Sequence, residues 1–295
     1  MDIRFVPYSA IDPARWNQCI RTSLNGLIYG RAEYLNTFCP QWDALIMGDY
    51  EAVMPLTSGK KWGIRYLYQP PFTQQLGVFG RSDAHIQQAF LQEARKRFRF
   101  AEIHLNFIHQ DATTTRKHNQ IIDLHKPYPE LRKNYSDYTL RKLKQAGAAT
   151  TSYREISAAQ NILAYQQLFG LQTPHVPSSV YDRLNCFCLQ YPELCLSRGL
   201  FLQDSLIASV TALRDERRIY LITLTAHDRK HYPWANHQLI DQLILEHAQQ
   251  ALVLDFEGSD LEGVFAFNAG FGAVNQPYLF CKWNDLPWPA RLLKK

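Results

Sequence analysis

Two carboxylates, Asp255 and Glu257, stand two residues apart in the run Val253-Leu254-Asp255-Phe256-Glu257. In an extended strand, residues i and i+2 share a face, so both side chains point the same way. A carboxylate beside a cleft suits proton removal from an attacking amine, which makes Glu257 and Asp255 candidate bases. The structural alternative is a helix cap or an ion pair with a nearby arginine; Ser259 fits a cap for the helix that follows. Arg229 and Lys230 lie just before a helical pattern that starts at Ala235, where basic side chains and helix amides receive phosphate. Trp234 and Asn236 flank the same start. The aromatics Tyr220, Tyr232 and Trp234 suit either stacking on a ligand or the core.

A second candidate cluster is Tyr68-Gln69-Pro70-Pro71-Phe72-Thr73-Gln74-Gln75. Its prolines fix the backbone. Gln69 and Gln74 are suited to reading a polar acceptor, with Tyr68 and Phe72 as apolar walls; an ordinary structural loop is the alternative. His227, His231 and His237 fall within eleven residues, but their spacing fits no zinc motif and no cysteine lies near, so no metal is expected. The six cysteines show no C-x-x-C pair. Cys186, Cys188 and Cys195 surround an apolar helix and read as packing, and reduced thiols are expected throughout.

These residues need a folded scaffold, and the composition supplies one. The chain has 295 residues, 46% hydrophobic and 20% charged, which excludes disorder and low-complexity architectures and is compatible with one or two domains. A net charge of +5 is too mild to indicate a DNA-binding protein. The N-terminal residues lack a basic segment followed by an apolar one, and no window reaches the ~18 apolar residues of a membrane span. A cytoplasmic protein is expected, with transient contact at a membrane surface left open.

Internal similarity organises the elements. One stretch reads as strands at 44–47, 50–56 and 63–68, and another repeats the pattern at 200–202, 206–213 and 219–225. Pro55 marks an edge or bulged strand. Each meander is followed by an amphipathic helix (82–99 and 235–250), a strand (101–108 and 251–256) and a closing strand (119–124 and 277–283). Helices precede each meander, at 13–23 and 31–38 in the first half and at 157–169 and 179–190 in the second. Ser157-x-x-Gln160 forms a capping box at the start of one of them. The stretch 126–149 carries Lys126, Arg132, Lys133, Arg141, Lys142 and Lys144 and reads as an exposed basic linker helix.

This order resembles the GNAT N-acyltransferase fold, and two such units in tandem resemble the Fem-type (FemXAB-like) bacterial proteins. Three stretches carry the resemblance further: the basic helix Asn134–Ala146, the segment Asp255-Phe256-Glu257-Gly258-Ser259, and Gly263–Ala273 with its Phe271-Gly272 turn. The resemblance implies an α+β fold of two tandem GNAT-like units, each a mixed, mostly antiparallel central sheet flanked by helices. Residues 1–128 would be a degenerate, cleft-shaping unit and residues 129–295 a donor-binding unit. It further implies transfer of an acyl or aminoacyl group from acyl-CoA or aminoacyl-tRNA to a small-molecule or peptide amine, with no permanently bound cofactor. Tyr220, Thr223 and Thr225 would line the donor path, with tRNA a possible partner of the basic runs. The segment Ala226–His237 holds no glycine where acyl-CoA users carry a Gly-rich phosphate turn. A non-catalytic binding protein on a duplicated scaffold is therefore the alternative function.

Overall fold

The computed structural model describes residues 1–107, 113–170, 176–258, 260–288 and 291. Contacts divide the chain into two compact units: Met1–Lys117 together with Pro277–Lys295, and His118–Gln276. Ser259 lies outside the described residues.

Unit 1 begins with β1 (Ile3–Val6), α1 (Pro13–Thr22) and α2 (Ala32–Phe38), followed by β2 (Asp43–Met47) and β3 (Ala52–Leu56). Next come β4 (Ser58–Lys61), β5 (Ile64–Tyr68), β6 (Phe79–Gly80), α3 (Ala84–Arg97), β7 (Phe100–Leu105) and β8 (Thr114–Lys117). Asp12 caps α1 by accepting from the amides of Ala14 and Arg15, with Pro13 preset at the first helical position. Asp83 caps α3 through the Ile86 amide, and Ile86, Phe90 and Ala94 turn one face into the core. Pro55 in β3 faces Ala44 of β2, beyond the short β6 pairing at Ala52 and Val53, so its missing N–H leaves no gap in a ladder. The expected first meander is split: β2 and β3 lie in a four-stranded sheet, β1-β2-β3-β6, whereas β5 joins a second sheet.

Unit 2 contains β9 (Gln120–Asp123), α4 (Tyr128–Arg132), α5 (Asp137–Ala146), β10 (Thr151–Glu155), α6 (Ala158–Phe169) and α7 (Ser178–Gln190). After these come β11 (Cys195–Leu202), β12 (Ser205–Arg214), β13 (Arg218–Ala226), α8 (Ala235–His247), β14 (Val253–Asp255), α9 (Glu262–Ala269) and β15 (Val274–Asn275). The chain then returns to unit 1 as β16 (Tyr278–Asn284). The Ser157 hydroxyl accepts from the Gln160 amide, as the capping box predicts. Leu239, Ile240, Leu243 and Ile244 of α8 are fully buried in the core that also holds Ala208, Val210 and Ala212 of β12. The expected exposed linker helix is different in the structure. Leu131, Tyr135, Leu143 and Ala146 enter the unit 2 core and α5 packs on α8, because the apolar positions begin before the helix and widen its stripe.

The closing strands are exchanged. In unit 1 the sheet runs β4-β5-β7-β16-β8, and in unit 2 it runs β10-β11-β12-β13-β14-β9-β15. Strand β5 is parallel to β7 and β13 is parallel to β14; the next two pairings are antiparallel in both sheets. Residues 119–124, read as the end of the first half, thus supply the inner strand of unit 2, and 277–283 supply that of unit 1. A single boundary after residue 128 does not describe this arrangement; the divisions fall after Lys117 and after Gln276. The driving term is burial: Leu279, Cys281 and Trp283 of β16 are 0%, 1% and 4% exposed, and the Trp283 indole N–H donates to Phe98 O at 2.7 Å. Trp283→Ala is expected to lower stability by about 3–5 kcal/mol in chemical denaturation. Hydrogen exchange should then rise in β7 and β8; a rise confined to β9 and β14 would contradict the strand assignment.

Candidate functional site

The site is built where two parallel strands separate. Strand β13 has nine residues, yet only Arg218, Ile219 and Tyr220 pair with β14, opposite Val253, Leu254 and Asp255. Among the described residues nothing else pairs with β13 on that side, so the edge of Leu221–Ala226 faces an opening. The ladder to β12 slips at the same place: Thr211 faces Thr223, but Ala212 faces Leu221. Ile222 is therefore the extra residue of a β-bulge, a device that re-aims backbone groups.

Asp255 sits at the vertex. It is 1% exposed, its Oδ2 accepts from the Arg218 guanidinium and from Asn119 Nδ2 (3.1 Å), and its Oδ1 accepts from the Glu257 amide (2.9 Å). Arg218 also donates to Gln276 Oε1 at 3.0 Å and lies over the Tyr220 ring. With both oxygens engaged, Asp255 is a pin between β13 and β14. Tyr220 is fully buried and its hydroxyl donates to Asp215 Oδ2 at 2.7 Å, so it forms a wall and offers no stacking face. Glu257 follows β14 by two residues and is half-buried, with φ +61°. A non-glycine residue in that region marks a constrained backbone. Gly258 beside it (φ +43°) is obligatory, since a Cβ there would meet His118 O at 2.1 Å.

Thr223 and Thr225 are buried and turned toward α6. Thr223 donates to Asn161 Oδ1, and Asn161 Nδ2 reaches Ser209 Oγ (2.8 Å) and Thr225 Oγ1 (3.4 Å). Ser209 Oγ continues to His227 Nε2 at 2.9 Å. This chain of polar groups covers the α6-facing side of β12 and β13, opposite the apolar side that meets α8. It fixes the His227 ring, and burial holds that imidazole below the usual histidine range, favouring the neutral form. Sequence reading missed Asn161 and Ser209; the only available signal was alternation, since Ser209 and Thr211 interleave with Ala208, Val210 and Ala212.

The turn from β13 into α8 carries exposed Arg229 and Lys230. Trp234 is buried and packs edge-on against Tyr232. It provides no side-chain cap for α8, where Asn236 leaves a buried Oδ1 without a hydrogen-bond partner. Asp228 Oδ1 accepts from the His231 amide (3.0 Å) and its Oδ2 contacts the ring (2.8 Å), so a carboxylate organises this glycine-free turn. His237, on the first turn of α8, lies among Tyr138, Phe267 and Phe271, and burial together with Lys142 and Arg229 pushes its pKa down to about 4. Helix α5 therefore brings Lys142 to the same end of α8 as Arg229. Among the described residues no three His, Cys, Asp or Glu side chains converge to hold a metal ion.

The other predicted residues lie in unit 1. Beyond Tyr68, strand β5 leaves β7, and the loop returns so that Leu76 bridges Leu105: Leu76 N donates to His104 O (2.9 Å) and Leu76 O accepts from Asn106 N. Gln69 supports this, its Oε1 accepting from His104 N and its Nε2 donating to Thr73 O, both at 2.9 Å. Gln74 is buried, its carbonyl contacts His104 Nδ1 (3.0 Å), and Phe72 O accepts from Tyr34 Oη (2.6 Å). Unit 1 fills with its own chain the gap that unit 2 leaves open.

Sequence comparison finds no matching family model and no matching curated protein. Among solved structures, FemX superposes over 100% of both chains with a TM-score of 0.70 at 11% identity. The fold is GNAT-like and of the Fem type. Two further neighbours agree with it. A tandem GNAT protein from the clavulanic acid biosynthesis pathway matches over 97% of this chain and 99% of its own (TM-score 0.54, 14% identity). L-PGS from Bacillus licheniformis matches over 96% and 95% (TM-score 0.54, 10% identity). In this GNAT-like frame the separating strands are β13 and β14 of unit 2.

Two outcomes test the geometry. Asp255→Ala removes the carboxylate that meets the half-buried Arg218 guanidinium and is expected to destabilise by about 3–5 kcal/mol in urea titration. His237 has a folded-state pKa of about 4, below its unfolded value. Stability from this group is complete above about pH 6.5 and falls by roughly 2–3 kcal/mol as the pH drops to 4. In His237→Phe that component of the acid sensitivity should be absent.

Proposed function

We propose that the protein is an N-acyltransferase moving an acyl or aminoacyl group from an ester or thioester donor to an amine in the opening of unit 2. The observation that carries this reading is the separation of β13 from β14 after three residue pairs, with the Ile222 bulge at the vertex. A donor laid along Leu221–Ala226 adds to a free strand edge, so main-chain hydrogen bonds hold it regardless of its side groups. A bulge amide turned toward the donor carbonyl stabilises the oxyanion that forms as the amine attacks. The C–N bond forms, the C–O or C–S bond breaks, and the amine's proton passes to Glu257 and on to the leaving group. Arg229, Lys230, Lys142 and the uncapped start of α8 receive donor phosphates. Asp228 already engages the His231 amide in this turn, which favours an aminoacyl ester such as aminoacyl-tRNA over the diphosphate of coenzyme A.

The experiment is turnover of aminoacyl-tRNA and acyl-CoA pools against a panel of amines and amino-terminal peptides, read by mass spectrometry. Wild-type activity is expected, and Glu257→Gln should lower kcat by about 10²–10⁴-fold with little change in KM. No turnover across both donor classes, with thermal stabilisation by a peptide or sugar only, would move the protein to the non-catalytic reading.

A further inference from the structure

The tip of the β4–β5 hairpin is shaped in an unusual way. Lys61 pairs with Ile64, so the turn consists of Trp62 and Gly63, with φ of +51° and +80°. Both central residues are left-handed, the type I′ geometry that Asn, Asp or Gly normally occupies first. A bulky residue there is an outlier. The tryptophan gains no burial in return: it is 69% exposed, whereas Trp16, Trp42, Trp234 and Trp283 are all below a tenth. A Cβ added at Gly63 would meet nothing within 4 Å, so the tip projects into open solvent.

Its neighbours are cationic. Ser58–Arg65 contains Lys60, Lys61 and Arg65 and no acidic residue. Arg65 is held by Asp43 Oδ2 at 2.8 Å, but Lys60 and Lys61 are exposed, and Lys61 Nζ stands 4.8 Å from the indole centroid. We propose that this hairpin is a contact for anionic lipid bilayers, with the Trp62 indole at headgroup depth and Lys60 and Lys61 against lipid phosphates. Tryptophan favours the membrane–water interface, because its ring is apolar and its N–H stays hydrated. Each lysine near an anionic surface strengthens binding by about fivefold. A convex two-residue tip presents far less than the ~800 Å² per partner of a stable protein interface. Two cations, Lys60 and Lys61, with no ion-pair partner among the described residues, also cannot track a nucleic-acid backbone. The contact is independent of the acyl-transfer reading.

The test is co-sedimentation of the full chain with vesicles of phosphatidylcholine alone or mixed with phosphatidylglycerol, together with quenching of tryptophan fluorescence by brominated lipid. Binding is expected only with phosphatidylglycerol and should weaken with salt. Trp62→Ser should lower the partition coefficient by about tenfold and abolish quenching, and Lys60→Glu with Lys61→Glu should lower it at least as much. Circular dichroism checks that the exposed substitutions leave the fold intact. Wild-type protein that ignores anionic vesicles, or a Trp62→Ser variant that binds like wild type, overturns the proposal. So does loss of binding in Trp288→Ala alone, Trp288 being the other exposed tryptophan (80%). A self-association that Trp62→Ser removes, without lipid binding, would assign the tip to a second copy of the chain instead.

Discussion

The ion pair between Arg218 and Asp255 holds together two parallel strands that are about to part. Burying a carboxylate carries a desolvation cost of several kcal/mol, which is offset only when its lone pairs are met. Here they are met three times, by Arg218, Asn119 and the Glu257 amide. The third bond ties the vertex to the backbone of Glu257, the base proposed for the reaction. Glu257 takes its left-handed conformation two residues after the pin, and Gly258 follows where no side chain fits. The charge pair thus marks the place where β13 and β14 stop pairing, and a constrained turn follows it on the β14 side.

The exchanged closing strands add a second constraint. Strand β16 pairs with β7 across a sequence separation of well over a hundred residues, and β9 pairs with β14 across a similar interval. Contacts this distant carry a large loop-closure cost and delay folding until both partners exist. Neither sheet is complete without a strand encoded beside the other unit. The stability of β7 and β8 is thereby tied to the return of the chain at Pro277, and that of β14, which bears Asp255, to β9.

Local signals were legible in the sequence. The Ser157 cap, the apolar face of α8, the β12–β13 hairpin around Arg214–Arg217 and the edge position of Pro55 follow from residue type and period. Strand partnership was not legible, because runs 119–124 and 277–283 carry no mark of which sheet they enter. The linker helix was misread for a related reason: Leu140 and Leu143 make only a narrow stripe in sequence, and Tyr135 and Leu131 join Leu143 in the core only in three dimensions. At the site, an arginine ion pair was one of the two readings of Asp255, but which arginine was not legible, since Arg218 lies 37 positions away. Asn161 gave no signal, because a lone asparagine in a helical pattern looks solvent-facing until its buried partners are known.

The two units share a strand order and differ in one respect that bears on function. In unit 1 the departing β5 is replaced beside β7 by Leu76, so the backbone groups of the separation are satisfied internally. In unit 2 no described residue pairs with β13 beyond Tyr220 on the β14 side. Buried backbone N–H and C=O groups are almost always paired, and along half-buried Ile222, Leu224 and Ala226 no described strand supplies that pairing on the β14 side. The polar chain from Asn161 to His227 stiffens the α6-facing side of this strand, and the α8 core stiffens the other. Held on both faces, and without a strand partner among the described residues along one edge, β13 is a preformed ledge, so the donor proposed to bind there would meet little ordering cost.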